Sequence, residues 1–369
     1  MRFLQASDFH LRPDAPHRLD ALREVVRRAN AEGAGVLLIP GDLFDSPEAA
    51  EALRVEVRDI LETFDGKTIV IPGNHDLTAF APEADYGRST IVLAGSPYSE
   101  QIIRDATGDE VRVFGVPYQD GATLGQALAG VQIDDPLGAV LLAHGTFEGG
   151  RTFSLKELEG EEEAYFPIRE NDLKGRFAYG ALGHLHARTT FDRWSADAAW
   201  GYAGSPVAVT RGELGLRHAI LVDLEPGVGV RDLRPVRLNT DYWESLVVQA
   251  APWETADAVF ARLHLELAAA SSEADPRRGL RLKVEGWTDD NEADFRSRVE
   301  AELDRVREAH REVDLDVTVR TIALVLSERP ELEDLLARVK RLGEERQADE
   351  ETLRTAVGLL VEAAGGGGS

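Results

Sequence analysis

Five short polar segments of this chain carry side chains that bind metals or transfer protons. Each segment follows an apolar run typical of a buried strand. In a doubly wound sheet the carboxyl ends of such strands lie at one edge, where α/β proteins place their chemistry. We therefore expect these segments to meet: Asp8-Phe9-His10, Gly41-Asp42, Asn74-His75-Asp76, His144 and His184-Leu185-His186.

The side chains in these segments are carboxylates, imidazoles and one amide, a set that suits divalent ions such as Mn²⁺, Fe²⁺ or Zn²⁺. The number of candidate ligands exceeds what one ion binds in a protein. It fits two ions that share one carboxylate ligand. Two ions about 3.5–4 Å apart can clamp the attacking and leaving oxygens of an in-line phosphoryl displacement. Seven residues form this candidate set: Asp8, His10, Asp42, Asn74, His144, His184 and His186.

Each segment alone has an ordinary structural alternative. A DxH or a GD is common in loops. His184 and His186 are two positions apart, which on a strand places both on one face, so they also fit a hydrogen-bonded pair in the core. The occurrence of all five segments in one chain favours the two-metal hypothesis.

Alternating strands and helices position these segments and predict an α/β sheet with right-handed crossovers. The first elements are a strand over 2–8, a helix over 15–31, a strand over 36–39, a helix over 47–64 and a strand over 68–71. Further strands are predicted over 111–116, 139–143, 178–182, 200–203 and 218–224. We expect the first domain, residues 1–237, to end near Arg237.

The order of predicted strands and helices changes after residue 240. A β-α-β-α-β unit is predicted, with elements over 246–249, 253–270, 281–285, 291–310 and 316–320. Two amphipathic helices follow Pro330, and their apolar stripes either pack on their own domain or dock a partner. The candidate docking residues are Leu332, Leu335, Leu336, Val339, Leu353 and Val357. The final GGGGS, residues 365–369, is typical of a flexible linker.

Composition narrows the class of protein. The formal net charge of −25 argues against a broad nucleic-acid-binding surface, which would need Lys and Arg. The best local basic group is Arg277, Arg278, Arg281 and Lys283, which fits either a solvated loop or a contact to DNA phosphates. There is no cysteine, and no apolar run approaches the roughly 18 residues that span a bilayer. We expect a cytoplasmic protein without a membrane anchor.

The order ASDFH, PGDLFD, PGNHD, AHGTF and GHLH resembles that of the calcineurin-like metallophosphoesterases, over residues 1–237. The flanks SDFHL, GDLFD, YGALGHLH and YAGSP, with LRLKVEG and the helical tail, are most similar to the SbcD-type DNA repair nucleases, bacterial relatives of the Mre-type nuclease. The resemblance implies an α/β fold with a two-layer β-sandwich core flanked by helices. It also implies a small α+β capping domain over 241–325 and a C-terminal helical segment over 330–363.

The resemblance assigns roles to the candidate residues. It places Asp8, His10, Asp42 and His186 on a first metal, and Asp42, Asn74, His144 and His184 on a second. Asp42 is then the bridging ligand. His75 would assist protonation of the leaving group, and Asp76 would orient the neighbouring backbone or histidine. The implied metal is Mn²⁺, with Mg²⁺, Fe²⁺ or Zn²⁺ as alternatives. Some archaeal and eukaryotic relatives carry a histidine where this chain has Asp45.

The implied partners are DNA, an SbcC-type ATPase and a second copy of the chain bound through the helix over 47–64. The helices after Pro330 would grip the base of the coiled coil of the ATPase. Packing of that helix on its own sheet is an equally good interpretation. The leading hypothesis is a two-metal phosphodiesterase that cleaves DNA, as the exonuclease and endonuclease subunit of a double-strand break repair complex. The alternatives are a phosphoesterase for a small molecule such as a cyclic nucleotide, and a non-catalytic scaffold.

Overall fold

The computed structural model of the chain describes residues 1–81, 84–105, 107–148, 165–186, 189–251, 254–270, 275–321, 323, 331–346, 352, 353 and 356. The chain divides into two compact units, Met1–Tyr242 and Trp243–Ser369.

Short strands and four helices build the described part of the first unit. In chain order the strands are β1 (Arg2–Gln5), β2 (Val36–Pro40), β3 (Lys67–Ile71), β4 (Thr90–Val92), β5 (Ser99–Arg104), β6 (Glu110–Val116), β7 (Ala139–His144), β8 (Phe147–Glu148), β9 (Ile168–Arg169), β10 (Tyr179–Gly183), β11 (Thr190–Arg193), β12 (Ala199–Tyr202), β13 (His218–Glu225) and β14 (Gly229–Arg237). The helices are α1 (Pro16–Ala31), α2 (Pro47–Leu61), α3 (Leu124–Ala127) and α4 (Glu170–Leu173), with a 3₁₀ turn at Pro136–Gly138.

Within the described residues these strands form two six-stranded sheets, in the orders β14-β13-β1-β2-β3-β4 and β11-β12-β10-β7-β6-β5, and a small β8-β9 pair. The inner strands run parallel, and β13, β14, β11 and β5 pair antiparallel at the edges. The predicted fold class, a two-layer sandwich flanked by helices, is confirmed. The expectation that the site strands share one doubly wound sheet is wrong, because β1, β2 and β3 lie in one sheet and β7 and β10 in the other.

Strand β2 shows how its sequence places it between two apolar layers. Leu37 and Ile39 point to the layer that α1 and α2 cover, and Val36 and Leu38 point to the layer between the sheets. Because both faces are buried, the strand is apolar at every position rather than at alternate ones.

Helix α2 begins at Pro47 behind an N-cap, the Ser46 side chain, which accepts a hydrogen bond from the Ala49 amide. Its apolar positions Leu53, Val57, Ile60 and Leu61 are buried in the core of the first unit. The helix therefore packs on its own sheet, and a dimer through the same helix stays a prediction. It ends at Leu61, three residues before the predicted end.

The described part of the second unit has the predicted order of elements. These are β15 (Tyr242–Ala250), α5 (Ala256–Ala270), β16 (Arg278–Thr288), α6 (Glu292–Asp304), β17 (Glu312–Thr321) and α7 (Glu331–Arg346), with a 3₁₀ turn at Arg307–Ala309. The three strands form one sheet in the order β15-β16-β17, with β16 and β17 parallel. Its core contains Leu263, Leu282, Val284 and Phe295.

The candidate docking residues differ in exposure. On α7, Leu332 and Leu336 are buried, Val339 is half-buried and Leu335 is 42% exposed. Leu353 is half-buried, and its side chain would clash with a Cβ built at Gly343, at 2.4 Å. Val357 lies outside the described residues. Docking of a partner on this segment stays a prediction.

Among the described residues, no helix combines the length and the apolar character needed to cross a membrane.

Candidate metal centre

The predicted ligands converge at the carboxyl ends of strands from both sheets. Asp8 and His10 follow β1, Asp42 follows β2 and Asn74 follows β3 in the first sheet. In the second sheet His144 ends β7, paired with Gly183 at the end of β10, and His184 and His186 follow directly. Parallel strands that end together bring these segments to one place.

Glycines let the two sheets approach each other closely here. A Cβ at Gly183 would lie 1.9 Å from the carbonyl oxygen of Pro40, which belongs to the opposite sheet. Gly41 has φ +94°, and a Cβ there would lie 2.2 Å from Nδ1 of His144. No side chain fits at either position, so the glycines are required by the contact between the sheets.

Backbone strain is concentrated at the ligands. Asp8, His10, Asp42 and His184 are not glycines, yet they have φ values of 60°, 46°, 50° and 109°. Such conformations cost free energy and persist only where the surroundings hold them. The His10 amide donates to the Asp42 carbonyl at 3.1 Å, and the His184 amide donates to Oδ1 of Asp8 at 2.9 Å.

The first ligand group has His10 at its centre. Its Nε2 lies 3.0 Å from Nε2 of His186 and 3.7 Å from Oδ2 of Asp42. Ligand atoms of Asp8, His10 and His186 all lie within 4.8 Å of one another. Asp8 is fully buried, and its Oδ2 accepts a hydrogen bond from Ser7 Oγ at 2.5 Å. The resemblance assigns these three residues, together with Asp42, to the first ion, and that assignment stays a prediction.

The second group has His144 at its centre. Nε2 of His144 lies 2.9 Å from Oδ1 of Asn74 and 3.3 Å from Oδ2 of Asp42, while Nδ1 lies 2.9 Å from the Pro40 carbonyl oxygen. The His184 ring packs against the His144 ring with centroids 5.4 Å apart. Oδ2 of Asp42 therefore lies between His10 and His144, as a bridging ligand must.

The electrostatics of the centre favour a cation. Burial alone would raise the pKa of Asp42, but the charge and hydrogen bond of His144, followed by His10, lower this pKa below its usual value. Burial lowers the pKa of His144, and Asp42 outweighs burial and raises it to about 9. Burial, followed by the charge of His144, lowers the pKa of His184 to about 3, so that ring is neutral. A divalent ion would compete with protons for these ligands.

The donor set fits divalent ions. Asp8, Asp42 and His144 form a second cluster of ligand atoms within 4.8 Å, beside the cluster around His10. Carboxylate oxygens and imidazole nitrogens without thiolates are ligands for Mn²⁺, Fe²⁺ or Zn²⁺. These residues form a site that can hold metal.

His75 and Asp76 differ sharply in environment. His75 is exposed; its amide donates to Oδ1 of Asp42 at 3.0 Å, and its ring lies 4.7 Å from the His10 ring. Asp76 is fully buried and accepts hydrogen bonds from the amides of Gly73, at 2.7 Å, and Phe44, at 3.1 Å. Burial, followed by the charge of Asp42, raises the pKa of Asp76 to about 7.

Two carboxylates near the centre have no role in the sequence prediction. Asp45 forms a third cluster with His10 and His75, and Glu213 lies 3.4 Å from Nδ1 of His186. Asp45 stands three residues after Asp42, a spacing that could have suggested a second carboxylate at the same loop. Glu213 lies in a segment without a recognisable pattern, so no sequence signal would have found it.

The four basic candidates lie in the second unit, and each has an acidic neighbour. Arg277 contacts Asp275 at 3.1 Å, Arg278 contacts Glu244 at 3.4 Å, Arg281 contacts Asp314 at 3.7 Å, and Lys283 pairs with Glu285. A role in DNA binding stays a prediction for them.

A family model supports what the fold and centre indicate. Residues 1–187 match the model described as calcineurin-like phosphoesterase. The chain therefore belongs to the calcineurin-like phosphoesterase family, whose activity is hydrolysis of phosphoester bonds.

Solved structures with a similar fold are distant in sequence. A dimetal phosphatase from Danio rerio is 11% identical, with a TM-score of 0.41, over 64% of this chain and 96% of that one. A 5'-nucleotidase precursor from Thermus thermophilus is 12% identical, with a TM-score of 0.38, over 64% of this chain and 54% of that one. A phosphoesterase from E. coli is 13% identical, with a TM-score of 0.31, over 63% of this chain and 98% of that one. None of the curated proteins compared with the chain matches it.

Proposed function

We propose that this phosphoesterase is a two-metal phosphodiesterase that cleaves DNA, as the nuclease subunit of an SbcCD-type double-strand break repair complex. The observation that carries the phosphodiesterase part is the convergence of the seven candidate ligands around Asp42, with the exposed His75 beside them. The DNA part rests on the sequence resemblance. The same proposal includes Mn²⁺ as the metal, a cytoplasmic location, a coiled-coil ATPase partner and a homodimer.

The residues of the centre have different roles in the proposed hydrolysis. Two divalent ions, when bound, activate a water molecule and stabilise the charge that develops on the phosphoryl oxygens. The first group of ligands and the second group would hold these ions, and Asp42 would belong to both. His75 is exposed and adjacent to the centre, so it can donate a proton to the leaving oxygen. Asp76 ties the loop before His75 to the loop after β2 through Gly73 and Phe44.

The YAGSP segment adds support for the narrower resemblance. Ser205 in this segment is buried; its Oγ donates a hydrogen bond to Oε2 of Glu213 at 2.5 Å and lies 3.2 Å from the His186 carbonyl oxygen. The motif that suggested an SbcD-type nuclease is thus part of the support for a candidate ligand. The second unit, beyond what a small-substrate enzyme needs, agrees with a capping domain.

A small-molecule phosphodiester is the second candidate substrate. The acidic neighbours of Arg277, Arg278, Arg281 and Lys283, together with the net charge of −25, favour it. A duplex carries a charge every few ångströms and is attracted by unpaired cations. A small phosphodiester needs only the charge of the bound ions.

The decisive experiment measures hydrolysis of end-labelled duplex and single-stranded DNA by the wild type and His75→Ala, in Mn²⁺ and in EDTA. A chromogenic phosphodiester serves as the second substrate. We expect the wild type to shorten DNA in Mn²⁺ and not in EDTA. His75→Ala should be slower by about 10²–10⁴-fold and should bind as much metal as the wild type. His264→Ala, at an exposed histidine of the second unit, is the matched control.

Two outcomes would change the proposal. Intact DNA beside rapid cleavage of the chromogenic substrate would make the small-molecule enzyme the better account. If His75→Ala cleaves DNA as fast as the wild type, the proton-donor role assigned to His75 is wrong.

A further inference from the structure

The outward-facing ring nitrogens of the candidate ligands have different neighbours. Nδ1 of His10 lies 3.5 Å from Oδ1 of Asp45, and Nδ1 of His186 lies 3.4 Å from Oε1 of Glu213. Nδ1 of His144 instead lies 2.9 Å from the carbonyl oxygen of Pro40. The two histidines of the first group thus face carboxylates, and the histidine at the centre of the second group faces a neutral carbonyl.

A buried arginine accompanies each of the two carboxylates. Arg18 donates through Nη1 to the His10 carbonyl oxygen at 2.6 Å and lies 3.7 Å from Asp45. Arg217 donates through Nη2 to the His186 carbonyl oxygen at 2.5 Å and lies 3.7 Å from Glu213. Both arginines are buried.

The two arrangements repeat each other around different histidines. In each, a carboxylate faces the ring and a guanidinium binds the backbone of the same residue, so the ring and the main chain are both held. The arrangements come from unrelated parts of the chain: Arg18 lies on α1 and Asp45 in the loop after β2, while Glu213 and Arg217 lie between β12 and β13. Because the same arrangement occurs at both histidines of the first ligand group, the two arginine–carboxylate pairs are expected to have the same role.

We propose that Arg18–Asp45 and Arg217–Glu213 are two positioning pairs that hold His10 and His186 with Nε2 toward the same ion, and that they act on the first metal site and not on the second. A carboxylate behind an imidazole keeps the proton on Nδ1, which leaves the Nε2 lone pair for a metal and makes it more basic. The Nε2 atoms of His10 and His186 lie 3.0 Å apart, close enough for both to bind one ion. The inference rests on the two-metal part of the proposed function and is independent of the substrate.

The consequence is an inequality between the two sites. The carboxylates behind His10 and His186 strengthen these ligands, whereas Nδ1 of His144 faces the carbonyl dipole of Pro40. We expect the first site to bind an ion more tightly than the second. Removing either carboxylate should weaken the tighter ion alone by about 10–100-fold.

The test is calorimetric titration of Mn²⁺ into the metal-free full chain, for the wild type, Asp45→Asn and Glu213→Gln. We expect two ions of unequal affinity in the wild type, and in each variant a weaker first ion with the second unchanged. The electron paramagnetic resonance signal of bound Mn²⁺ reports whether one or both sites are filled, since coupling between two ions disappears when either site empties. His184→Ala should show the opposite pattern, with the weaker ion lost.

Controls separate positioning from a general effect on the fold. Glu225→Gln changes an exposed glutamate paired with Arg231, and Asp59→Asn changes an exposed aspartate paired with Arg58. Both should bind Mn²⁺ as the wild type does. Because Glu213 is buried, the melting temperature of Glu213→Gln is also measured in EDTA, to test whether the variant folds. Asp45 is 31% exposed, and its variant tests the proposal even if Glu213→Gln fails to fold.

The outcomes are distinguishable. A wild type that binds no Mn²⁺ would overturn the proposed function itself. A wild type that binds two ions, with Asp45→Asn and Glu213→Gln indistinguishable from it, would overturn only this inference. Equal weakening of both ions in Asp45→Asn would also overturn it, because a merely structural residue does not select one site.

Discussion

A single buried carboxylate joins two of the loops that carry the centre. Asp76 accepts a hydrogen bond from the Gly73 amide, in its own loop, and one from the Phe44 amide, in the loop after β2. A carboxylate can accept from both donors at once. An amide side chain of the same shape has only one oxygen, and its NH₂ group would face the second backbone N–H.

We therefore expect Asp76→Asn to lower the free energy of unfolding of the metal-free chain by about 1–3 kcal/mol, the cost of one buried donor without a partner. Relief of the repulsion between Asp76 and Asp42 offsets part of this loss. Urea unfolding in EDTA measures it. Asp59→Asn, on the exposed side of α2, should stay within about 0.5 kcal/mol of the wild type. Equal stability of Asp76→Asn and the wild type would show that the hydrogen bonds from the Gly73 and Phe44 amides do not need a carboxylate at position 76.

At the scale of elements, the centre depends on how closely β10 approaches β2. Gly183 ends β10 and meets the backbone of Pro40 in the other sheet, while Gly180, three residues earlier on the same strand, has its nearest neighbour at 3.5 Å from a built Cβ. Gly180 lies inside the strand and Gly183 at its end, and the space available to a Cβ is much smaller at Gly183.

Gly183→Ala should push the sheets apart at the centre, because the obstructing atom belongs to a backbone and cannot turn away. We expect a loss of at least about 1–3 kcal/mol in the free energy of unfolding and much weaker Mn²⁺ binding. Gly180→Ala, with a normal van der Waals distance, should change neither. Calorimetric titration and urea unfolding of the two variants provide the comparison, and wild-type metal binding by Gly183→Ala would contradict it.

Helix α1 is tied to the segment after β14 by one carboxylate. Glu24 is nearly buried; burial alone would raise its pKa, but hydrogen bonds from Arg27 and the Asn239 amide outweigh burial and lower this pKa. A group whose pKa is lowered by folding stabilises the fold above its unfolded pKa, and this contribution is lost as the pH falls toward the folded pKa.

Accordingly, Glu24→Gln should be less stable than the wild type at pH 7, by about 1 kcal/mol, a value typical of one net hydrogen bond. The difference should shrink as the pH falls below about 4.3, the ordinary value for glutamate. Urea unfolding of both proteins from pH 7 to pH 3.5 measures it. A difference that grows on acidification would mean that the carboxylate is not stabilised by its charge.

The elements predictable from the sequence were those with strong periodicity. Apolar patterns are clear in strands β1, β2 and β3 and in helices α1 and α2. The bounds of these elements differ from the prediction by a few residues. Strands β4, β5 and β14 were not predicted, because they are short or alternate polar residues at a sheet edge. An apolar run also does not say which sheet a strand joins, so the division of the ligands between two sheets could not be predicted.

The site was predictable where ligands follow strands directly, and not where supporting residues come from irregular segments. Asp45 was noticed as a departure from relatives, without a role. Glu213 and Arg217 act on His186 from the segment between β12 and β13, where only the folded chain brings them near. Long-range contacts of this kind leave no local pattern.

At the scale of the whole molecule, the net charge of −25 has two opposite consequences. The chain has 66 acidic residues against 41 Lys and Arg, so many negative charges lack a cationic partner by number alone. Their mutual repulsion opposes the compact state. Exposed ion pairs such as Arg23–Asp20 oppose this effect, but each contributes only about 0–1 kcal/mol.

We expect repulsion to dominate, so the melting temperature in EDTA should rise when NaCl increases from about 0.01 to 0.15 M, as the Debye length falls from about 30 to 8 Å. DNA cleavage in Mn²⁺ should show the opposite trend, because salt weakens any contact with phosphates. Cleavage of a small chromogenic phosphodiester should depend on salt much less and serves as the control. A melting temperature that falls with salt would show that ion pairs dominate the charge balance. Equal salt dependence of the two substrates would count against DNA contacts beyond the metal centre, because only an extended nucleic acid reaches the rest of the surface.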